Sequence, residues 1–171
     1  MQKKEHIAIT YIETSLGLMV AAATDKGICM FEYADNKDLD TQFKQLTKSL
    51  KLALVEGHHP LFDKLHQQLD AYFKGELKQF DLPLDMVGTE FQQEVWQSLL
   101  KIPYGTTMSY AQQANLIGRP KAVRAVANAN GSNKISIIIP CHRVIGSDST
   151  LTGYGGGLWR KEKLLELEGC R

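Results

Sequence analysis

Two modules of mixed α/β (α+β) structure are what the 171-residue sequence predicts, and three observations predict them. Apolar residues alternate through HIAITYIET, LGLMVAAAT and GICMFEYA, separated by the turn signals SLG and TDKG; this is the period of strands that bury one face. In the second half, Thr89 with Gln92 and Ser109 with Gln112 form S/T-x-x-Q boxes, whose hydroxyl and amide satisfy orphan N–H groups at helix starts. The short FDLPLDMVG link lies between these patterns and sets the modules at residues 1–85 and 86–171.

The three alternating runs predict an antiparallel meander. NKDLDTQFKQLTKSLK then reads as a helix, and HPLFDKLHQQLDAYFKGE as a second, with Pro60 early, Leu61, Leu65, Leu69 and Tyr72 on one stripe, and Gly75 as the stop. His58 and His59 fall in the entry to that helix, and no cysteine or acid cluster completes a metal site with them. Beyond the link, one helix runs from Thr89 to about Lys101 and is stopped by PYG; the next runs from Ser109 to about Ile117 and is stopped by Gly118. A third starts near Pro120, a residue suited to a first helical turn, and completes a helix-turn-helix. In its stretch PKAVRAVANAN, Lys121, Arg124 and Asn128 share one face among alanines. Ile137, Ile138 and Ile139 predict a buried strand that Pro140 ends, which leaves Cys141 just past a rigid strand end. GLWRKEKLLELEG closes the chain as a helix, apolar at Leu158, Leu164, Leu165 and Leu167 and stopped by Gly169.

Composition narrows the function classes. With 43% hydrophobic and 23% charged residues the chain is an ordinary globular one, without an apolar run long enough to span a bilayer. MQKKEHIAIT lacks the apolar segment of a signal peptide, so a cytoplasmic location is expected. Cys29, Cys141 and Cys170 are widely spaced and include no CxxC pair, which argues for reduced thiols over a disulfide framework or a cysteine zinc site. The net charge of +1 hides an asymmetry: the first module has 10 lysines and 13 acids, the second 10 basic residues and 6 acids. Between Glu94 and Asp148 there is no acid, while Lys101, Arg119, Lys121, Arg124, Lys134 and Arg143 all fall there. Such a basic stretch suits a polyanion.

The motif PCHRVIG, preceded by SYAQQANLIGRPKAVRAVANANGSN and followed by GYGGG and RKEKLLELEG, resembles the O6-alkylguanine-DNA alkyltransferases, also called methylated-DNA–protein-cysteine methyltransferases. The resemblance covers about Phe91 to Gly169. It implies a ribonuclease-H-like structural domain at the N-terminus and a winged-helix-like domain at the C-terminus that carries chemistry and DNA contacts. It also implies a single-turnover reaction in which Cys141 accepts an alkyl group from guanine O6 in double-stranded DNA, and it leaves open whether O4-alkylthymine is a further substrate. His142 is implied as base through a water and Glu168 as its orienter, the nucleophile-base-orienter arrangement of a hydrolase triad. Tyr110 would donate to the guanine ring, and Asn133 would tie the motif to the active-site loop. The carbonyls of Cys141 and Val144 would accept from the exocyclic amine, and Tyr154 with the Gly155 N–H would hold O6. Some members have serine where Gly155 stands, which leaves only a backbone donor here.

For DNA, the resemblance implies entry of the third helix into the minor groove with little sequence specificity, Ala125 allowing close approach and Arg124 filling the gap left by a flipped nucleotide. Arg119, Tyr110 and Ser147 match positions at the DNA backbone. No cofactor or metal is expected, no membrane association, and a monomer. Two other readings use the same residues: a cysteine hydrolase or acyltransferase, and a lesion sensor without chemistry. The first predicts many turnovers, and the second lacks the nucleophile that Cys141 provides.

Overall fold

The computed structural model describes residues 5–171, and the leader expectation rests in part on residues 1–4, outside that range. The chain divides into two compact units between Val87 and Gly88. No helix among the described residues is long and apolar enough to cross a membrane.

The first unit is a four-stranded sheet with two helices. Strands β1 (Ile7–Thr14), β2 (Gly17–Thr24) and β3 (Gly27–Tyr33) form the expected antiparallel meander. After α1 (Leu39–Leu50), the chain returns as β4 (Leu54–Glu56), parallel to β1, giving the order β3-β2-β1-β4. This fourth strand is three residues long, too short for an alternating pattern to reveal. Ile7, Val20, Ala22, Met30 and Leu46 make a core into which Phe43 and Leu50 of α1 pack. Helix α2 (Pro60–Phe73) starts at His59, whose Nδ1 accepts from Leu61 N; it buries Phe62, Leu65, Leu69 and Tyr72, so Phe62 takes the place expected of Leu61. The FDLPLDMVG link is no passive linker. Ile28 N donates to Pro83 O at 2.9 Å and Asp85 N to Ile28 O at 2.8 Å, which adds an extended edge outside β3. Gly27 permits this approach, since a Cβ there would lie 2.4 Å from Pro83 O.

The second unit opens with α3 (Glu90–Leu99) and α4 (Tyr110–Leu116), each begun by its predicted box at Thr89 and Ser109. Gly118, at φ +74°, turns the chain out of α4. The next helix, α5 (Val123–Gly131), begins three residues later than Pro120 led us to expect, so Pro120 and Lys121 lie in the turn and only Arg124 and Asn128 share the helical face. Val95, Ala114, Val126 and Ala129 pack the three helices together. A buried amide pair locks them: Gln113 Nε2 donates to Asn130 Oδ1 (2.9 Å) and Ser98 Oγ (3.1 Å), and Asn130 Nδ2 returns a bond to Gln113 Oε1 (2.7 Å). A two-residue strand, β5 (Met108–Ser109), pairs in parallel with β6 (Val144–Ile145), which places the start of α4 beside the segment that follows Cys141. Helix α6 (Leu158–Leu167) closes the unit.

Candidate active site

The isoleucine run is buried as expected but is not a strand. Residues 136–139 form turns, with Ile137 at φ +70°. A β-branched residue in that region is a true outlier, held only when its surroundings over-determine it. Here Asn133 does so. Its Nδ2 donates to Ile139 O at 3.0 Å, Ile135 O at 3.3 Å and the Cys141 sulfur at 3.4 Å, and its Oδ1 accepts from Ile135 N at 2.9 Å. Cys141 therefore opens a 3₁₀ turn (Cys141–Arg143) instead of ending a strand, and it is half-buried.

His142 and Glu168 meet with no exposure of either side chain, His142 Nε2 lying 2.8 Å from Glu168 Oε2. A carboxylate only accepts, so Nε2 carries the hydrogen and the lone pair sits on Nδ1. Nδ1 is buried and has no protein partner. Burial is the largest influence on the imidazole and pulls its pKa below the usual 6.5, outweighing the hydrogen bond and charge of Glu168, which pull it up. The ring is thus a neutral acceptor near neutral pH. Arg143 completes the cluster, its Nε donating to Glu168 Oε1 (2.8 Å), Nη2 to Oε2 (3.1 Å) and Nη1 to Ile102 O (2.7 Å). Its guanidinium lies 5.8 Å from the Tyr104 ring centre, and the Tyr104 hydroxyl donates to Leu167 O at the end of α6.

The segment after β6 frames the other side. Gly146 N donates to Thr150 O, and Asp148 Oδ1 accepts from Thr150 N and Oγ1, which forms a tight exposed turn carrying Ser147. A Cβ on Gly146 would come 2.7 Å from Thr150 Oγ1. Tyr110 Oη donates to Thr152 O at 3.2 Å and accepts from Thr152 Oγ1 at 3.3 Å, so the phenol belongs to this loop. Tyr154 is half-buried and Gly155 exposed, with Tyr154 O accepting from Gly157 N. Val144 O accepts from Lys161 Nζ at 2.6 Å and Thr152 O from the same ammonium at 2.7 Å. A carbonyl has two lone pairs, so Val144 O retains one acceptor site.

The basic stretch is less uniform on the surface than in the sequence. Lys134 is buried over the Trp96 ring and Arg143 is buried on Glu168, so neither contributes an exposed charge. Arg119 is exposed but forms a two-bond pair with Glu94, at 3.2 and 3.4 Å. Arg124 and Ala125 are exposed on α5, with Val126 and Ala129 facing inward. Sequence reasoning missed Arg143 as a partner of Glu168, although it stands inside PCHR. It also missed Lys161, whose signal was present: on α6 the buried positions are Arg160, Lys161, Leu164 and Leu165, so a lysine sits in the apolar stripe where Leu158, 47% exposed, was expected. Among the described residues no three His, Cys, Asp or Glu side chains are grouped to hold a metal ion.

A mixed α/β protein is thus defined by a helix-turn-helix unit that carries a half-buried cysteine beside a fully buried histidine–glutamate pair. Two sequence families match it: the 6-O-methylguanine DNA methyltransferase ribonuclease-like domain over residues 7–86, and the DNA binding domain of the same protein over residues 90–170. A methylated-DNA–protein-cysteine methyltransferase of Methanosarcina barkeri is 45% identical over 92% of this chain and 94% of its own length. One of Mycobacterium tuberculosis is 62% identical over 61% of this chain, an alignment that spans 63% of the relative. The crystal structure of Mycobacterium tuberculosis OGT in complex with DNA superposes with a TM-score of 0.81 at 42% identity, covering 95% of this chain and 92% of that one. The chain belongs to the O6-alkylguanine-DNA alkyltransferase family.

Proposed function

We propose that the chain reverses alkylation damage in DNA by taking the alkyl group of O6-alkylguanine onto Cys141, once per molecule. The observation that carries this reading is the buried Glu168–His142 pair next to Cys141, with the acceptor nitrogen of the imidazole left open. A thiol at its reference pKa of about 8.5 is mostly protonated at neutral pH, so transfer needs a base. His142 Nδ1 takes the thiol proton through a water, and Glu168 stabilises the resulting imidazolium. The sulfur then attacks the saturated carbon: the S–C bond forms, the C–O6 bond breaks, and its electron pair moves into the guanine. The Tyr110 hydroxyl, once it turns its one hydrogen from Thr152 O to the guanine, eases that charge, and the proton taken by His142 is available to leave guanine neutral. Tyr154 and the Gly155 N–H would hold O6, while the carbonyls of Cys141 and Val144 accept from the exocyclic amine, for which Val144 has a lone pair left. Asn133 fixes the sulfur. The thioether has no leaving group that water displaces, so the protein is consumed without metal or cofactor.

In this reading residues 86–171 bind DNA and carry the chemistry, and residues 1–85 are structural. A stacked base hides its O6 substituent, so the nucleotide must be flipped at a cost of a few kcal/mol. Exposed Arg124 on α5 fills the gap from the minor groove, Ala125 lets the helix approach, and Ser147, Tyr110 and Arg119 meet the backbone, Arg119 after release from Glu94. Binding is by a monomer, with little sequence preference, in the cytoplasm.

The test is stoichiometry. With excess O6-methylguanine duplex, intact-protein mass spectrometry should show one methyl increment, mapped by peptide to Cys141, and repair should saturate at about one equivalent. Product formation far beyond one equivalent with unmodified protein recovered would mean a cysteine hydrolase. Tight binding without any mass increment would mean a lesion sensor.

A further inference from the structure

We propose that Glu94 stands in for a DNA phosphate on Arg119, a resident anion that the backbone must displace, and so keeps the hold on undamaged duplex weak. This deepens the DNA-binding reading above and rests on it. Arg119 lies in the turn between α4 and α5 with its backbone fixed on both sides, its N donating to Ala114 O at 2.9 Å and its O accepting from Ala122 N at 2.9 Å. Only its side chain is left to move. That side chain runs back to α3, where its Cζ lies 5.5 Å from the Phe91 ring centre and its Nε and Nη2 donate to the two oxygens of Glu94 at 3.4 and 3.2 Å. Two bonds from one edge of a guanidinium are also how arginine takes a phosphate.

No acid follows Glu94 in the sequence until Asp148, and Lys121 and Arg124, exposed cations of the same turn and of α5, form no ion pair among the described residues. Of these three cations, Arg119 alone carries an anion of the protein's own. The pair is poised for exchange. Its side chains are 52% and 37% exposed, and its bonds are longer than the roughly 2.7–2.9 Å of a tight charged pair, so water competes for them and little is lost when they break. A duplex offers its phosphates in a row of like charges, a stronger field than one carboxylate presents. Binding therefore moves the guanidinium from carboxylate to phosphate and leaves Glu94 as an anion close to the DNA backbone. The lost pair and the new repulsion both subtract from affinity, and equally for every sequence, because neither involves a base.

The test is a double-mutant cycle on an undamaged duplex, with wild type, Glu94→Gln, Arg119→Ala and the double variant. Kd is read by fluorescence anisotropy at about 0.15 M salt, where screening confines charge effects to about 8 Å. Glu94→Gln should bind about threefold more tightly, the scale of an exposed pair, and the gain should vanish once Arg119 is replaced by alanine. Arg119→Ala should correspondingly cost about threefold more in the Glu94→Gln background than in wild type. A gain that persists without Arg119 is general removal of negative charge and overturns the proposal. So does a Glu94→Gln protein that binds like wild type or more weakly, which would make Glu94 a support that aims Arg119. Both side chains are exposed, so the variants should keep the fold, checked by circular dichroism, and Glu94→Ala repeats the cycle should the glutamine variant misfold. If wild type itself holds no duplex DNA, the DNA reading fails; if it binds and the cycle is flat, only the role of Glu94 fails.

Discussion

In the first unit β3 is buried along its whole length, with Glu32 held inside by Tyr33 N and Gln42 Nε2, and the core beside it is built mainly from apolar side chains, Ile7, Val20, Ala22, Met30 and Leu46. In the second, the buried set includes Gln113, Asn130, Asn133, Lys134, His142, Arg143, Lys161 and Glu168. Burying an ionisable group is unfavourable unless its polar atoms are partnered, and here the partnering is specific, with Glu168 accepting from both His142 and Arg143 while His142 Nδ1 is left open. The contrast teaches how differently the two units hold their shape. A sheet unit organised by apolar contact tolerates exchange of one apolar side chain for another, while a unit organised by buried charge loses its arrangement when one partner is removed.

The sharpest test of that contrast is Cys141→Ala. It should abolish transfer while leaving affinity for methylated duplex nearly intact, as measured by gel shift beside a transfer assay. A methyl group still accepted would name another cysteine. Next, Glu168→Gln should slow single-turnover transfer by about 10²-fold, the scale of general-base effects, because the amide no longer stabilises the imidazolium. An unchanged rate removes Glu168 from the mechanism. Arg124→Ala should slow repair of duplex DNA about tenfold or more while reaction with free O6-benzylguanine stays within twofold, since only the duplex needs its stack filled. Equal losses on both substrates would assign Arg124 to the pocket.

Two predictions concern stability. Leu46→Ala in the first unit should cost about 2–5 kcal/mol by denaturant titration, yet leave the transfer rate per folded molecule unchanged. A rate that fell with stability would show that the sheet unit takes part in the chemistry. The His142 shift gives a sign for pH. Its folded-state pKa is lowered, so below the usual 6.5 the unfolded chain binds a proton that the folded unit refuses. Stability should therefore decline as pH falls through 6.5 toward the folded-state value, and hydrogen exchange should report this in the second unit. Protection there that is flat from pH 7 to 5 contradicts the assignment.

Elements with a strong local signal were legible in the sequence: the meander through its alternation, and α3 and α4 through their boxes, while the roles of Cys141, His142 and Glu168 rest on the resemblance. The misreadings share a cause, which is tertiary contact overriding local preference. Three isoleucines favour a strand by propensity, but Asn133 bends them into turns. Pro120 is a good first helical residue, yet α5 waits for Val123. Lys134 and Arg143 count toward a basic stretch and are nevertheless drawn inside, one onto Trp96 and the other onto Glu168. No local pattern marks β4, which exists because β1 offers it an edge.

Ile137 carries a consequence for the order in which the molecule assembles. At φ +70° it holds a conformation its own side chain disfavours, and the contacts that impose it come from Asn133 and from burial. Such a turn has nothing to nucleate it and should form only after α3, α4 and α5 have docked, as a late event in folding. The reactive thiol would then be presented only by a finished domain, and a partly folded chain would carry an ordinary cysteine. Core substitutions in this turn, such as Ile139→Val, should accordingly speed unfolding and leave the folding rate almost untouched; a matching drop in the folding rate would place the turn in the nucleus instead.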